Sequence, residues 1–269
     1  AQLGNELQLM SKGRFKLGLG SQIRAHIEKR FSMPWSAPAA RMREFVLAVK
    51  AIWNNWQHSE PLNFRGEFYT HTLMPPLLTP GPNPYGSPPI LLAGVGPAMT
   101  EVAGEVADGY LIHPFHCASY LDQLAMPALT RGLLKSGRHR TDLEVSAQLL
   151  VATGRDRVEL DQSISQLRTQ IAFYASTPAY RPVLEAIGRG ALQEELNALS
   201  KQGGWDEMGT CIDDEVLHAV AIVGTPQEAA AQIVQRYRGL VERISPTAYI
   251  LDPALAGELV AALRKSLEK

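Results

Sequence analysis

The chain has 269 residues, 45% of them hydrophobic and 20% charged, with a formal net charge of −1. Its basic residues are scattered, which excludes the footprint of a nucleic-acid or anionic-membrane binder, and the apolar content supplies the core of one large domain or two small ones. Cys117 and Cys211 are the only cysteines; without C-x-x-C spacing they exclude a disulfide framework or zinc cluster and fit a reducing, cytoplasmic setting. No apolar run approaches the roughly 18 residues of a membrane span, no signal-peptide pattern is present, and no metal site is expected.

In chain order, Ala1 to Met10 reads as the back end of a helix with Leu3, Leu7 and Met10 on one face, stopped by Ser11-Lys12-Gly13. A helix starting at residue 1 suggests that more chain precedes it. Arg14 to Gly20 is a short strand running into Ser21-Gln22, and its glycines predict close backbone approach at the strand end. Ile23 to Trp35 is a loop or broken helix carrying Arg24, His26 and Arg30. Ala37 to Trp56 is an amphipathic helix with Ser36 as N-cap, and Met42, Phe45, Val46, Val49, Ile52, Trp53 and Trp56 are assigned to core by their spacing. Asn63 to Tyr69 reads as a hairpin around Arg65-Gly66, followed by a proline-rich excursion from Pro75 to Pro89.

Next comes the stretch with the clearest chemical signal. A strand from Pro89 to Ala93 meets the turn Gly94-Val95-Gly96-Pro97, then a helix from Ala98 to Val106 and a strand from Tyr110 to Ile112, the order of a βαβ unit. Glycines let backbone amides approach a ligand, and a helix N-terminus attracts anions, so a phosphate-bearing cofactor is the expected occupant. A nicotinamide-binding Rossmann site is disfavoured: Met99 stands where G-x-G-x-x-G needs its third glycine, and no acidic residue ends a strand about 20 residues on.

After His113-Pro114-Phe115-His116, a helix is predicted from Ser119 to about Ser136, a strand from Leu143 to Ala152 and a helix from Val158 to Tyr174. Ser176 to Asp214 reads as an inserted helical segment. Val220 to Val223 is a short strand or extended connector, Thr225 caps a helix from Gln227 to Tyr237, Thr247 to Leu251 is the last strand, and Pro253 to Leu267 closes the chain as a helix. About five strands each followed by a helix predict an α/β fold, either an open doubly wound sheet or a (β/α) barrel. Ligands then collect at the C-terminal strand ends: Gly20-Ser21-Gln22, Ala93 to Met99, His113 to His116, Ala152-Thr153 and Leu251-Asp252. His113 and His116 are candidate acid/base groups, a role that calls for a pKa near neutrality.

Ser11-x-Gly13-Arg14-Phe15-x-Leu17-Gly18-Leu19-Gly20, Arg43-Glu44, Phe64-x-Gly66-Glu67-x-Tyr69, the Ala93 to Pro97 turn, Ala103-Gly104-x-x-Ala107-Asp108-Gly109 and Val223-Gly224-Thr225-Pro226 together resemble the bacterial luciferase-like monooxygenase superfamily. The Gly94-Val95-Gly96-Pro97 turn and Gly20-Ser21-Gln22 resemble the branch that uses the deazaflavin coenzyme F-420. That resemblance implies a TIM (β/α)8 barrel in which residues 1–269 form one partial barrel domain, its first three strands absent from this chain and Phe15 to Gly20 standing fourth. Insertions would fall at about 57–88 and 176–214.

The resemblance further implies that Gly94, Val95, Gly96, Pro97, Ala98 and Met99 meet the coenzyme's phosphate-bearing tail, and that Gly20, Ser21, Gln22 and Ala93 line the ring pocket. His113 and His116 would then be catalytic in hydride transfer to or from a small organic substrate. Gly104-Glu105 stands where FMN-using members have an arginine, so FMN is the alternative cofactor; an FMN-dependent monooxygenase and a non-catalytic flavin-binding protein on a reduced barrel are the alternative functions. The expected assembly is a cytoplasmic homodimer without nucleic-acid or membrane partners.

Overall fold

The computed structural model describes residues 1–248 and 252–268. In chain order the elements are α1 (Gln2–Met10), β1 (Leu17–Leu19), α2 (Pro38–His58), β2 (Phe64–Arg65), β3 (Thr70–His71), β4 (Ile90–Gly94), α3 (Pro97–Val106) and β5 (Gly109–Ile112). There follow α4 (Ala118–Tyr120), α5 (Met126–Lys135), β6 (Glu144–Thr153), α6 (Arg157–Ala175), α7 (Arg181–Glu185), α8 (Gly190–Gln202), α9 (Trp205–Met208) and α10 (Asp214–Val220). The last four are β7 (Ala221–Gly224), α11 (Pro226–Tyr237), β8 (Arg243–Ala248) and α12 (Pro253–Leu267). They fall into two compact units, one of residues 1–111 with 128–144 and one of residues 112–127 with 145–269.

In the first unit β1 pairs in parallel with β4, Leu17 opposite Ile90 and Leu19 opposite Leu92, and β5 lies on the other side of β4. Ile90 and Leu92 are fully buried, as strands covered on both faces must be. The Ala107-Asp108-Gly109 motif proves to be a structural pin. One Asp108 carboxylate oxygen accepts the Ile90 N–H at 2.8 Å, the other accepts Lys50 Nζ at 2.8 Å, and a Cβ on Gly109 would lie 2.8 Å from Leu91 Cγ. Gly104 is a packing residue too: its added Cβ would stand 2.2 Å from the Leu129 carbonyl oxygen of α5, while Glu105 pairs with Arg43 of α2.

Two expectations for this unit are corrected. On α1 the buried residues are Gly4 and Gln8, while Leu3 is 72% and Met10 77% exposed, because the helix approaches Trp53 through its smallest side chain. Ala37, not Ser36, is the N-cap of α2, and Ser36 Oγ instead accepts from Arg41 Nη2 at 2.8 Å. The predicted hairpin is present as β2 and β3, and Glu44 holds its turn by accepting the amides of Glu67, Phe68 and Tyr69.

In the second unit β6 is central, parallel to β7 on one side and β8 on the other. Asp156 caps α6, and Thr225 with Glu228 forms a reciprocal capping box on α11. The segment from 176 to 214 is helical as expected, and Val183, Leu184, Leu196 and Met208 of it are buried. β8 begins at Arg243, earlier than predicted, and the expected strand residues 249–251 lie outside the described residues. No described helix is long and apolar enough to cross a membrane.

Candidate functional site

The β4 strand ends at Gly94, whose carbonyl accepts the Tyr110 hydroxyl at 2.8 Å; a Cβ here would press on Met99 at 2.9 Å. Gly96 is the N-cap of α3 with no side-chain cap, Pro97 opens the helix, and no acidic residue lies in the first turn. Helix starts leave their first amides without intrahelical partners, so this end carries a concentrated positive potential. Val95 and Gly96 are half-buried, Pro97 and Ala98 exposed, and Met99 buried. An anionic group fits such a rim on both electrostatic and steric grounds.

At the neighbouring strand end, an added Gly20 Cβ would meet the Ala93 Cβ at 3.7 Å, which places the β1 and β4 ends side by side. Gly20 and Ser21 line a cavity of about 270 Å³. Gln22 does not line it and holds a left-handed φ of 59°, a conformation that Ser32 (54°) and Ala37 (38°) share on the same loop. Met42 and Phe45, expected in the core, form part of the cavity wall, and Phe45 is 36% exposed. Residues 94 to 99 are not among its lining residues.

His113 and His116 belong to the second unit. The Phe115 N–H donates to His113 Nδ1 at 3.1 Å, so in the neutral ring the proton sits on Nε2, which faces the Tyr180 hydroxyl at 3.1 Å. His113 also stacks on Tyr180, with ring centroids 4.5 Å apart, and meets Tyr174 edge-on. His116 has the opposite tautomer. Its Nδ1 donates to the His113 carbonyl at 2.7 Å, and its Nε2 accepts the Tyr237 hydroxyl at 2.8 Å. Burial pushes both imidazoles down to about 4, with the neighbouring His116 adding to the effect on His113 and Arg236 to that on His116. The expected pKa near neutrality is therefore corrected: both rings are neutral at pH 7 and no lone pair on either is unoccupied.

At the remaining strand ends, Ala152 and Thr153 are buried, and Thr153 Oγ1 has no hydrogen-bond partner among the described residues. Thr153 and Asp252 line a second cavity of about 140 Å³ with Leu255 and Leu259. Asp252 is held below the usual carboxylate range by Arg155, which also reaches Glu159 and Glu258. Leu251 is outside the described residues. Arg24 pairs with Glu28 at 2.9 Å on an exposed turn, which gives it a local structural role.

Sequence reasoning missed Arg41, Tyr69, Tyr180 and Tyr237. For Arg41 a signal existed, since it shares a helix face with Met42 and Phe45 next to the loop that ends β1. No local signal marks Tyr180 or Tyr237, because they reach their histidines across 67 and 121 residues.

Comparison with known proteins follows the same lines. An uncharacterised protein of Mycobacterium tuberculosis is 55% identical over 246 residues, covering 91% of this chain and 72% of its own length. The 5,10-methylenetetrahydromethanopterin reductase of Archaeoglobus fulgidus is 27% identical over 228 residues, covering 83% of this chain and 64% of the reductase. In fold, the coenzyme F-420 dependent tetrahydromethanopterin reductase of Methanopyrus kandleri superposes with a TM-score of 0.78 at 21% identity, over 96% of this chain and 76% of that one. The family description "Luciferase-like monooxygenase" matches residues 1–243, and with the parallel α/β architecture and the motif order above, the chain belongs to the luciferase-like monooxygenase family.

Proposed function

We propose that the chain is an oxidoreductase that transfers a hydride between the deazaflavin coenzyme F-420 and a small organic substrate. The observation that carries this reading is the uncapped N-terminus of α3, set directly behind Gly94-Val95-Gly96-Pro97 at the C-terminal end of a parallel strand and free of acidic residues in its first turn. The naming of relatives as F-420 or methanopterin enzymes supports it. When bound, the coenzyme supplies the hydride chemistry. The protein's part is to bind, orient and manage the proton. The amides at Ala98 and Met99 are assigned to the anionic arm, and Gly20, Ser21, Gln22 and Ala93 to the edge of the ring.

For His113 and His116 the proposed catalytic roles are those that their hydrogen bonds set. With Nδ1 filled and the Nε2 proton directed at Tyr180, His113 orients the phenol so that the Tyr180 hydroxyl proton is the one passed to the substrate oxygen, or the position that receives it in the reverse direction. His116, sealed between the His113 carbonyl and Tyr237, holds His113 in place. A homodimer is proposed from the family resemblance and is read by light scattering.

The test is fluorescence titration of the 269-residue chain with deazaflavin and, separately, with FMN. Preferential binding of deazaflavin is expected. Preference for FMN would replace the cofactor assignment with the monooxygenase alternative, and binding of either without turnover of an alcohol and aldehyde panel would favour a non-catalytic flavin-binding protein.

A further inference from the structure

Arg41 occupies an unusual setting in the first unit. It projects from α2 into the cavity of about 270 Å³, whose walls are Leu19, Trp35, Met42, Phe45 and Tyr69. Among the described residues it forms no ion pair. Its Nη2 donates to Ser36 Oγ at 2.8 Å, and its guanidinium lies over the Phe68 ring at 4.4 Å from the centroid. The carboxylate one helical turn away, Glu44, is committed elsewhere, accepting the amides of Glu67, Phe68 and Tyr69 at 2.9, 2.7 and 2.5 Å.

A guanidinium offers five N–H donors in a planar fork that matches a carboxylate, and only one contact here is made to a side-chain oxygen. The contact over Phe68 and the bond to Ser36 restrain the side chain in advance, so less freedom remains to be lost on pairing. The other lining residues are mostly aromatic and aliphatic, and those with polar side-chain atoms are Ser21, Trp35, Ser36 and Tyr69. An apolar chamber with one cation that makes no ion pair is complementary to a molecule with an apolar body and one acidic end.

We propose that this cavity binds a small carboxylic acid, its carboxylate paired with Arg41 and its hydrocarbon body against Trp35, Phe45 and Tyr69. Taking about 30 Å³ per water-sized group, the volume admits a ligand of about nine non-hydrogen atoms. As an assignment of substrate class the inference rests on the hydride-transfer reading. As a binding site it stands alone. A carboxylate could also come from an acidic arm of the coenzyme, so the test separates the two sources.

Isothermal titration calorimetry of the coenzyme-free 269-residue chain with octanoate, octan-1-ol and octylamine is the direct measurement. Octanoate is expected to bind on the order of 10- to 100-fold more tightly than octanol, the range of a charge-assisted hydrogen-bonded pair, and octylamine least. Arg41→Met should remove the preference and Arg41→Lys keep part of it, with Tm confirming that each variant folds. Equal affinities for octanoate and octanol in the parent chain, or an undiminished preference in folded Arg41→Met, would overturn the site. If Arg41→Met does not fold, the ligand series and Arg41→Lys still decide.

Repeating the octanoate titration with saturating deazaflavin distinguishes the sources. Retained octanoate binding supports a substrate carboxylate, whereas displacement assigns the anion to the coenzyme and overturns the substrate role. Absence of deazaflavin binding would sink the proposed function while leaving the octanoate preference readable.

Discussion

Two imidazoles in one short turn, His113 and His116, illustrate how burial and hydrogen bonding divide a role between like residues. Both have their pKa lowered to about 4 chiefly by burial, whereas the unfolded chain protonates them near 6.5. Their neutral forms are what the fold accommodates. Stability is therefore full above about pH 6.5 and declines as the pH falls from there toward 4, because over that range the unfolded state binds protons the folded state refuses. Scanning calorimetry across pH 7 to 4 should show Tm falling through this window, and His116→Gln should flatten the fall. Tyr237→Phe strips the donor from a buried His116 lone pair and should cost about 1–3 kcal/mol in urea unfolding. Tyr180→Phe removes the proposed proton carrier. It should lower kcat by about 100-fold or more with deazaflavin affinity unchanged in titration.

Helices in this chain earn their positions through small residues as much as through apolar faces. Gly104 of α3 and Gly132 of α5 meet backbone to backbone: a Cβ on Gly132 would stand 1.9 Å from the Glu101 carbonyl oxygen. Gly132→Ala should therefore force the helices apart and cost about 1–3 kcal/mol or more, read by chemical denaturation. Ion pairs of Glu101 with Arg131 and Lys135 span the same contact. Exposed as the cations are, they add little beyond specificity. Much of this was legible in the sequence. The Gly94 to Pro97 turn announces the start of α3, Thr225-Pro226 that of α11, and the spacing in α2 its apolar face. Periodicity, however, reports only that a face is covered. It does not separate protein core from cavity wall, which is why Met42 and Phe45 were misplaced, and it weighs Leu3 and Met10 above the glycine through which α1 actually docks.

At the scale of the whole molecule, alternation of strand and helix was enough to predict an α/β fold, because parallel pairing leaves few other arrangements. The proposed polar machinery was not readable in this way. Asp108 and Glu44 act on amides 18 and more residues distant, and the Tyr180 and Tyr237 contacts exist only once the helical segment and α11 have folded. β6 is the most deeply covered strand, with Val145, Ala147 and Leu149 to Ala152 all at 1% exposure or less. Its amides should be the slowest to exchange with deuterium, approaching the global unfolding free energy, while those of the 22–37 loop should exchange first.

The left-handed Gln22, Ser32 and Ala37 give that loop a further property. Each side chain crowds its own backbone in a conformation that glycine would adopt without penalty, so the tension exists only while the loop is in place and vanishes when it frays. A guest beside Ser21 and Trp35 has to offset that tension to keep the loop shut, and glycine at position 37 would relieve it, giving a loop that frays less and a firmer grip on the guest.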